Sequence, residues 1–325
     1  MEAEKVLESS YGFTSAMTLT ELGNPQVPQR YVLPLSERPN PTLHPSISLP
    51  IVDLSSLKHP SSSSPRSETI NEIQRACKEF GFFQVINHGI LQCTMRDAME
   101  AATDFFDLPV EEKMILMSEN VHEPVRYGTS LNHATDKKMS KYATEVENLQ
   151  KQLMELVLES LGLNSNYLVD DIDNGSQVMT VNCYPACPEP ELTLGIPAHS
   201  DYGTLTILHQ SCSGLQLLDS NENWVPVPLV EGALIVLLGD QLEVMSNGHY
   251  KSVLHRVIVS SDTKRLSIAS LHSLALNKKM APAPELLNEQ NPAGYKEFSF
   301  RDFLDFISSR DALQGRFIDT LKKDR

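Results

Sequence analysis

Hydrophobic and polar positions alternate along this chain with two different periods, and the change of period divides it. Between residues 68 and 80 the apolar positions Ile70, Ile73, Ala76, Cys77 and Phe80 recur at helical spacing, and Gly81 ends the helix they predict. Phe82-Phe83-Gln84-Val85-Ile86 then reads as a strand running into the turn Asn87-His88-Gly89. A second helix is expected over about 91–106. The longest covers 142–161, with Tyr142, Val146, Leu149, Leu153, Leu156, Leu158 and Leu161 near one stripe and Gly162 as its stop. Too few repeats for a coiled coil make it a core-packing helix. After Asp173-Asn174-Gly175 the period shortens, and strands are expected at 178–184, 204–209, 215–218, 233–238, 255–259 and 267–274, spaced by turns as in a sandwich or barrel. Phe303, Leu304, Phe306 and Ile307 restore helical spacing in a tail that begins at Phe300.

Proline and serine mark what lies outside these elements. Six prolines between Pro25 and Pro45 exclude long helices there, so 27–32 should lie extended over the body; a short strand is expected at 49–54 and a loop at Ser61–Ser64. The expected fold class is mainly β with flanking helices: a double-stranded β-helix (jelly roll) core with a helical N-terminal region. The boundaries read as an extended segment 1–46, an N-terminal α/β region 47–172, the jelly-roll core 173–280, and a C-terminal loop and helix 281–325. No internal repeat is present.

Composition narrows the partners. A formal charge of −15 disfavours nucleic acid and anionic membrane surfaces, and no stretch approaches the ~20 apolar residues of a membrane span. Five cysteines without a secretory signal suggest reduced thiols and a cytoplasmic location, with the nucleus also open. Cys183 and Cys187 have no second pair to complete a zinc site. A monomer is expected.

The chemistry concentrates in His199-Ser200-Asp201, His255 and Arg265-Leu266-Ser267. Alternation along a strand places His199 and Asp201 on one side, and His255 from another strand can close a three-ligand face. Two histidines and one carboxylate on one face form the non-haem Fe(II) triad, which leaves positions open for co-substrate and O₂. Arg265 offers a fixed cationic fork for the far carboxylate of a metal-chelating dicarboxylate. The set points to an oxidoreductase that uses iron, O₂ and 2-oxoglutarate. A zinc hydrolase with the same three ligands and a metal-bound water is the rival enzyme reading, which the Arg-x-Ser element disfavours. His88, in a turn without a carboxylate partner, is read as structural; His209, His249 and His272 are read as bystanders.

Longer stretches carry a resemblance. Asn182-Cys183-Tyr184-Pro185-Ala186-Cys187-Pro188, the run from Glu191 to Asp201, the run from Ser246 to Val257, and Arg265-Leu266-Ser267-Ile268-Ala269 resemble the plant Fe(II)/2-oxoglutarate-dependent dioxygenases, the family of flavonol synthase, anthocyanidin synthase, flavanone 3-hydroxylase and the gibberellin oxidases. The likeness extends to 49–54 and to Phe80 through Gly89. It implies iron binding by His199, Asp201 and His255, and a grip on the distal carboxylate of 2-oxoglutarate by Arg265 and Ser267, with Tyr184 and Asn182 seating the co-substrate. It also implies that Thr180, Tyr202 and Leu271 stand near a small organic substrate, which is hydroxylated or otherwise oxidised with release of succinate and CO₂, ascorbate serving as reductant. No catalytic residue is implied beyond the metal and co-substrate groups.

One departure stands out. In the family, the stretch seen here as Tyr127-Gly128-Thr129-Ser130 leads into a segment with a Trp-containing strand and loop before the long helix. Here Lys137 follows Asp136 at once, and the sole tryptophan, Trp224, lies elsewhere. The N-terminal region therefore reads as shortened after Asp136, on the substrate side of the barrel mouth; a splice form, a gene-model gap and a true deletion all give this pattern. A catalytically silent binding or regulatory member of the fold is the alternative it raises.

Overall fold

The computed structural model describes residues 15–39, 48–58, 63–116, 137–308 and 315–323. Among them the first half supplies helices α1 (Ala16–Glu21), α2 (Ser63–Glu79), α3 (Gln92–Phe106), α4 (Val110–Met114), α5 (Lys137–Ser160) and α6 (Val169–Asp173), with strands β1 (Ile51–Asp53) and β2 (Phe82–Ile86). The second half runs β3 (Ser176–Tyr184), β4 (Ile196–His199), β5 (Leu205–Gln210), β6 (Leu215–Leu218), β7 (Trp224–Pro226), β8 (Leu234–Leu238), α7 (Asp240–Met245), β9 (His255–Val257) and β10 (Arg265–Ser273), and closes with α8 (Phe300–Ser308) and α9 (Phe317–Leu321).

Two sheets form the core. The larger has the order β1-β2-β8-β5-β10-β3 and the smaller β4-β9-β6-β7; only the β1–β2 pair is parallel. Their facing surfaces enclose a cluster that includes Phe82, Leu208, Leu215, Leu217, Ile235, Leu237 and Val257. Alternation then sends the other side chains of the large sheet outward: Phe83, Val85, Ile207, Val236, Leu266 and Ile268 pack with Val146, Leu149, Leu153 and Val157 of α5 in a second, larger cluster. The sheet is thus apolar on both faces, as a jelly roll buttressed by helices requires. The expected fold class is the observed one.

Several local expectations are corrected. The helix preceding β2 begins at Ser63, so Ser63 and Ser64 belong to its first turn rather than to a loop; Pro65 is tolerated there because the first N–H groups of a helix have no intrahelical acceptor. Residues 27–32 are not uniformly extended but turn once through a 3-10 helix, Gln29–Tyr31. They do lie on the body, since Val27 N–H donates to the Glu189 carboxylate at 2.8 Å and Leu33 N–H to the Leu192 carbonyl at 2.9 Å. The long helix starts at Lys137, five residues before its apolar stripe becomes visible. Residues 117–136, which carry the apparent shortening, lie outside the described residues. No helix among those described is long and apolar enough to cross a membrane.

Candidate metal and co-substrate site

His199 ends β4, which pairs antiparallel with β9 so that His199 stands directly opposite His255. Asp201 is not on the strand. The ladder stops at His199, and the chain turns so that the Asp201 carbonyl accepts from the N–H of Asp240 rather than from a neighbouring strand. The period-two expectation for His-x-Asp is therefore replaced by a strand end followed by a turn. The outcome for the side chains is still convergence: one ligand atom from each of His199, Asp201 and His255 lies within 4.8 Å of the others, and among the described residues no other cluster of three such groups is found.

The proton inventory explains what this convergence is suited to. His199 Nδ1 lies 2.9 Å from the Pro197 carbonyl and His255 Nδ1 lies 3.2 Å from the Val253 carbonyl. A carbonyl can only accept, so Nδ1 is the donor in both rings and Nε2 is the atom each turns toward the cluster. Both Nε2 atoms face Asp201 Oδ1, at 3.7 and 3.8 Å, too far for hydrogen bonds. Burial, followed by the neighbouring His199, lowers the pKa of His255 to about 4 and so keeps its ring neutral. Asp201 is buried and its Oδ2 has no partner among the described residues. Two imidazole Nε2 atoms and a carboxylate facing one another without a hydrogen bond between them fit a divalent cation.

β10 supplies the second half of the site. Arg265 pairs with Tyr184 of β3, Ser267 with Asn182 of β3 and Gln210 of β5, Ala269 with Thr180, and Leu271 with Val178 and Thr206. Directly opposed residues share a face, so Arg265, Ser267, Leu271, Tyr184, Asn182 and Thr180 all look into the barrel. Arg265 is buried. It donates to Gln210 Oε1 at 2.9 Å, Ser267 Oγ at 3.3 Å and the Cys212 carbonyl at 3.2 Å, and its guanidinium carbon stands 5.2 Å from the Tyr184 ring centroid. Gly214, at φ +149°, makes room for it: a Cβ there would lie 2.8 Å from Arg265 Cδ. No carboxylate pairs with this cation among the described residues, and desolvation depresses its pKa. The Tyr184 hydroxyl is buried beside Ser267 and Arg265. A buried guanidinium held by neutral groups and no carboxylate fits an anionic ligand.

Tyr202 stands apart from this row. Its ring stacks on Phe300 at 4.2 Å and on Phe303 at 4.9 Å, which joins the ligand turn to α8. That contact was not legible in the motif, because 98 residues separate the partners. His88 bridges its own turn to the Gly232 carbonyl at 3.0 Å, His209 packs beside Tyr142 of α5, and His272 bonds Ser270; none of the three belongs to the cluster.

With this geometry in place, the chain was compared with known proteins. A family model described as 2OG-Fe(II) oxygenase superfamily matches residues 175–273, and one described as non-haem dioxygenase in morphine synthesis N-terminal matches 49–155. Flavanone 3-dioxygenase 3 of Oryza sativa subsp. japonica is 39% identical, with 89% of this chain and 98% of the relative covered. Jasmonate-induced oxygenase 4 of Arabidopsis thaliana is 34% identical, with 94% and 96% covered. The crystal structure of JOX2 in complex with 2OG, Fe and JA superposes with a TM-score of 0.84 at 29% identity, over 96% of this chain and 98% of that one. The match to the rice enzyme spans 322 positions but draws on only 89% of a 325-residue chain, so about 30 of its positions face no residue here.

Proposed function

Because the chain belongs to the 2OG-Fe(II) oxygenase superfamily, and is an Fe(II)- and 2-oxoglutarate-dependent dioxygenase that oxidises a small plant metabolite with release of succinate and CO₂, we propose specific roles for its residues and a class for its substrate. His199, Asp201 and His255 hold the iron. The convergence of their three ligand atoms, with each ring anchored through Nδ1, carries this assignment. Iron, when bound, supplies the site for O₂ activation and for chelation of the keto acid.

The remaining chemistry belongs to the chain. Arg265 and Ser267 bind the distal carboxylate of 2-oxoglutarate, and the planar fork sets its direction. Gln210 and the Cys212 carbonyl keep the fork oriented before the ligand arrives. The Tyr184 hydroxyl donates to the co-substrate, and Asn182, next on the same face of β3, flanks it. The apolar lining around Leu208, Leu215 and Leu217 excludes water from the reacting end.

The organic substrate is proposed to be a largely apolar, ring-bearing compound of the flavonoid or jasmonate type, the types named in the relatives above, and the reaction its hydroxylation or a related two-electron oxidation. Thr180 and Leu271 face it from the sheet; Tyr202, fixed by Phe300 and Phe303, forms the opposite aromatic wall. The proposed shortening between Ser130 and Tyr142 would open the substrate side without touching iron or co-substrate groups. Ascorbate is the proposed reductant and the monomer the proposed state. Five free cysteines suit a reducing compartment, the cytoplasm or nucleus. Turnover of a plant-metabolite panel by anaerobically iron-loaded protein, scored by succinate and product mass, tests the substrate class: product from flavonoids or jasmonates supports it, and product only from strongly polar compounds opposes it.

A further inference from the structure

Behind the ligand triad lie three buried polar groups, the Asp240 carboxyl, the Ser252 hydroxyl and the Arg316 guanidinium, and both Ser252 and Arg316 act on the Asp240 carboxyl, as does the Ser200 hydroxyl. A carboxyl group, a hydroxyl and a guanidinium are chemically complementary, and Asp240 and Ser252 each adjoin a segment that carries a ligand. Asp240 opens α7. Its N–H donates to the Asp201 carbonyl at 2.7 Å, while the N–H groups of Gly239 and Gln241 donate to the Thr204 and Gly203 carbonyls at 2.9 and 3.0 Å. A Cβ at Gly239 would strike the Gly203 carbonyl, so the turn carrying Asp201 is laid directly on this corner. Ser252 lies three residues before His255; its N–H donates to Glu243 Oε2 at 2.7 Å, and its carbonyl accepts from Arg316 Nη2 at 3.4 Å.

Arg316 comes from the far end of the chain, at the N-cap of α9. Burial raises the pKa of Asp240 to about 7, and the Ser252 hydroxyl and the Arg316 guanidinium oppose that rise. The residue after Arg316, Phe317, packs edge-on against Phe303, which stacks on Tyr202 next to Asp201. The C-terminal segment therefore reaches both ligand-bearing segments, the Asp201 turn through rings and the Ser252–His255 segment through the Arg316–Ser252 hydrogen bond.

We propose that Arg316, Asp240 and Ser252 form one positioning network behind the metal ligands, and that Arg316 couples docking of the C-terminal segment to metal affinity. The proposal rests on the assignment of His199, Asp201 and His255 as ligands. The groups act through the Asp201 turn and the Ser252–His255 segment and touch neither metal nor substrate. Outer partners of this kind are worth about ten- to a hundred-fold in metal affinity.

The test is Mn(II) titration of the full chain, followed by the paramagnetic signal of free Mn(II), with thermal melting in parallel. Arg316→Gln should weaken Mn(II) binding about ten-fold or more, while 2-oxoglutarate affinity at saturating Mn(II) stays within about two-fold. Arg316→Lys should recover most of the loss. Arg316→Gln combined with Asp240→Asn should be no weaker than the worse single variant, because the two share one network. Wild-type Mn(II) affinity in folded Arg316→Gln, or strict additivity of the pair, overturns the proposal. Should Arg316→Gln not fold, unchanged Mn(II) affinity in folded Ser252→Ala overturns it equally. His199→Ala separates the two levels. Loss of Mn(II) binding there with none in the Arg316 variant defeats the network alone, whereas retained binding in His199→Ala defeats the ligand assignment and the network with it.

Discussion

Arg265 and Tyr184 stand directly opposite each other across the β3–β10 ladder, the guanidinium carbon 5.2 Å from the ring centroid. The pair puts a buried cation and a buried phenol hydroxyl on one wall of the barrel, on the face they share with Ser267 and Asn182. An ammonium at this position would keep the charge and lose the two-pronged geometry.

Arg265→Lys should therefore raise the apparent KM for 2-oxoglutarate by roughly 30-fold, about 2 kcal/mol, the scale of a charge-assisted hydrogen bond. Iron binding should stay at the wild-type level, because no triad atom depends on the fork. Calorimetric titration of metal and of co-substrate on the same preparation checks both halves. Loss of metal with retained co-substrate affinity would reassign Arg265.

The acid side of the stability curve should depend on His272. Burial depresses its pKa from 6.5 to about 3, and that of His209 to about 4. Both rings are neutral in the fold and protonate near pH 6.5 when the chain unfolds, so below that pH the unfolded state binds more protons. Their contribution is fully present above about pH 6.5 and is lost as pH falls toward the folded values, at about 2 kcal/mol per ring between pH 7 and pH 5. Asp240, raised to about 7 by burial, works in the opposite sense: its contribution is present at low pH and is lost as pH rises through 7. The histidine effect is accordingly read as a difference. Urea unfolding at pH 5, 6, 7 and 8 should show a flatter acid limb in His272→Gln than in the wild type, and parallel curves would refute it.

On the reading that the chain is shortened after Asp136, inserting the corresponding segment of a related dioxygenase there should restore coupling between co-substrate and product. In the unmodified chain, succinate should then exceed product, since a displacement of the target C–H by about 1 Å from near-attack geometry costs ~10²-fold. The ratio of succinate to product in the two proteins is the measurement. A ratio near one in the unmodified chain would show that other residues have rebuilt the wall.

What could be read from the sequence was local or carried by rare residue combinations. The strands that become β3 and β10 and the stripe of α5 follow from period two and period 3.6, though not the pairing of the two strands, and His199-x-Asp201 with a later His255 and Arg265-x-Ser267 is too specific in residue type to be missed. Three things were hidden for physical reasons. Asp201 leaves the strand because its carbonyl is captured by Asp240, a pairing across 39 residues that no local period reports. The first turn of α2 is written in serine and proline, which read as loop although a helix N-terminus tolerates both. Arg316 has no motif at all; its relation to Asp240 and His255 exists only once the C-terminal segment folds back.

The central claim is that His199, Asp201 and His255 make one iron site that consumes 2-oxoglutarate. The most direct measurement is succinate formation from 2-oxoglutarate by anaerobically iron-loaded protein on exposure to O₂, for the wild type and for His199→Ala, Asp201→Ala and His255→Ala, each checked for folding by circular dichroism. The wild type should release succinate and CO₂ in equal amounts, and each variant should remain at the level of free iron in buffer. Wild-type rates in any one of the three folded variants, or no succinate from the wild type, would contradict the account.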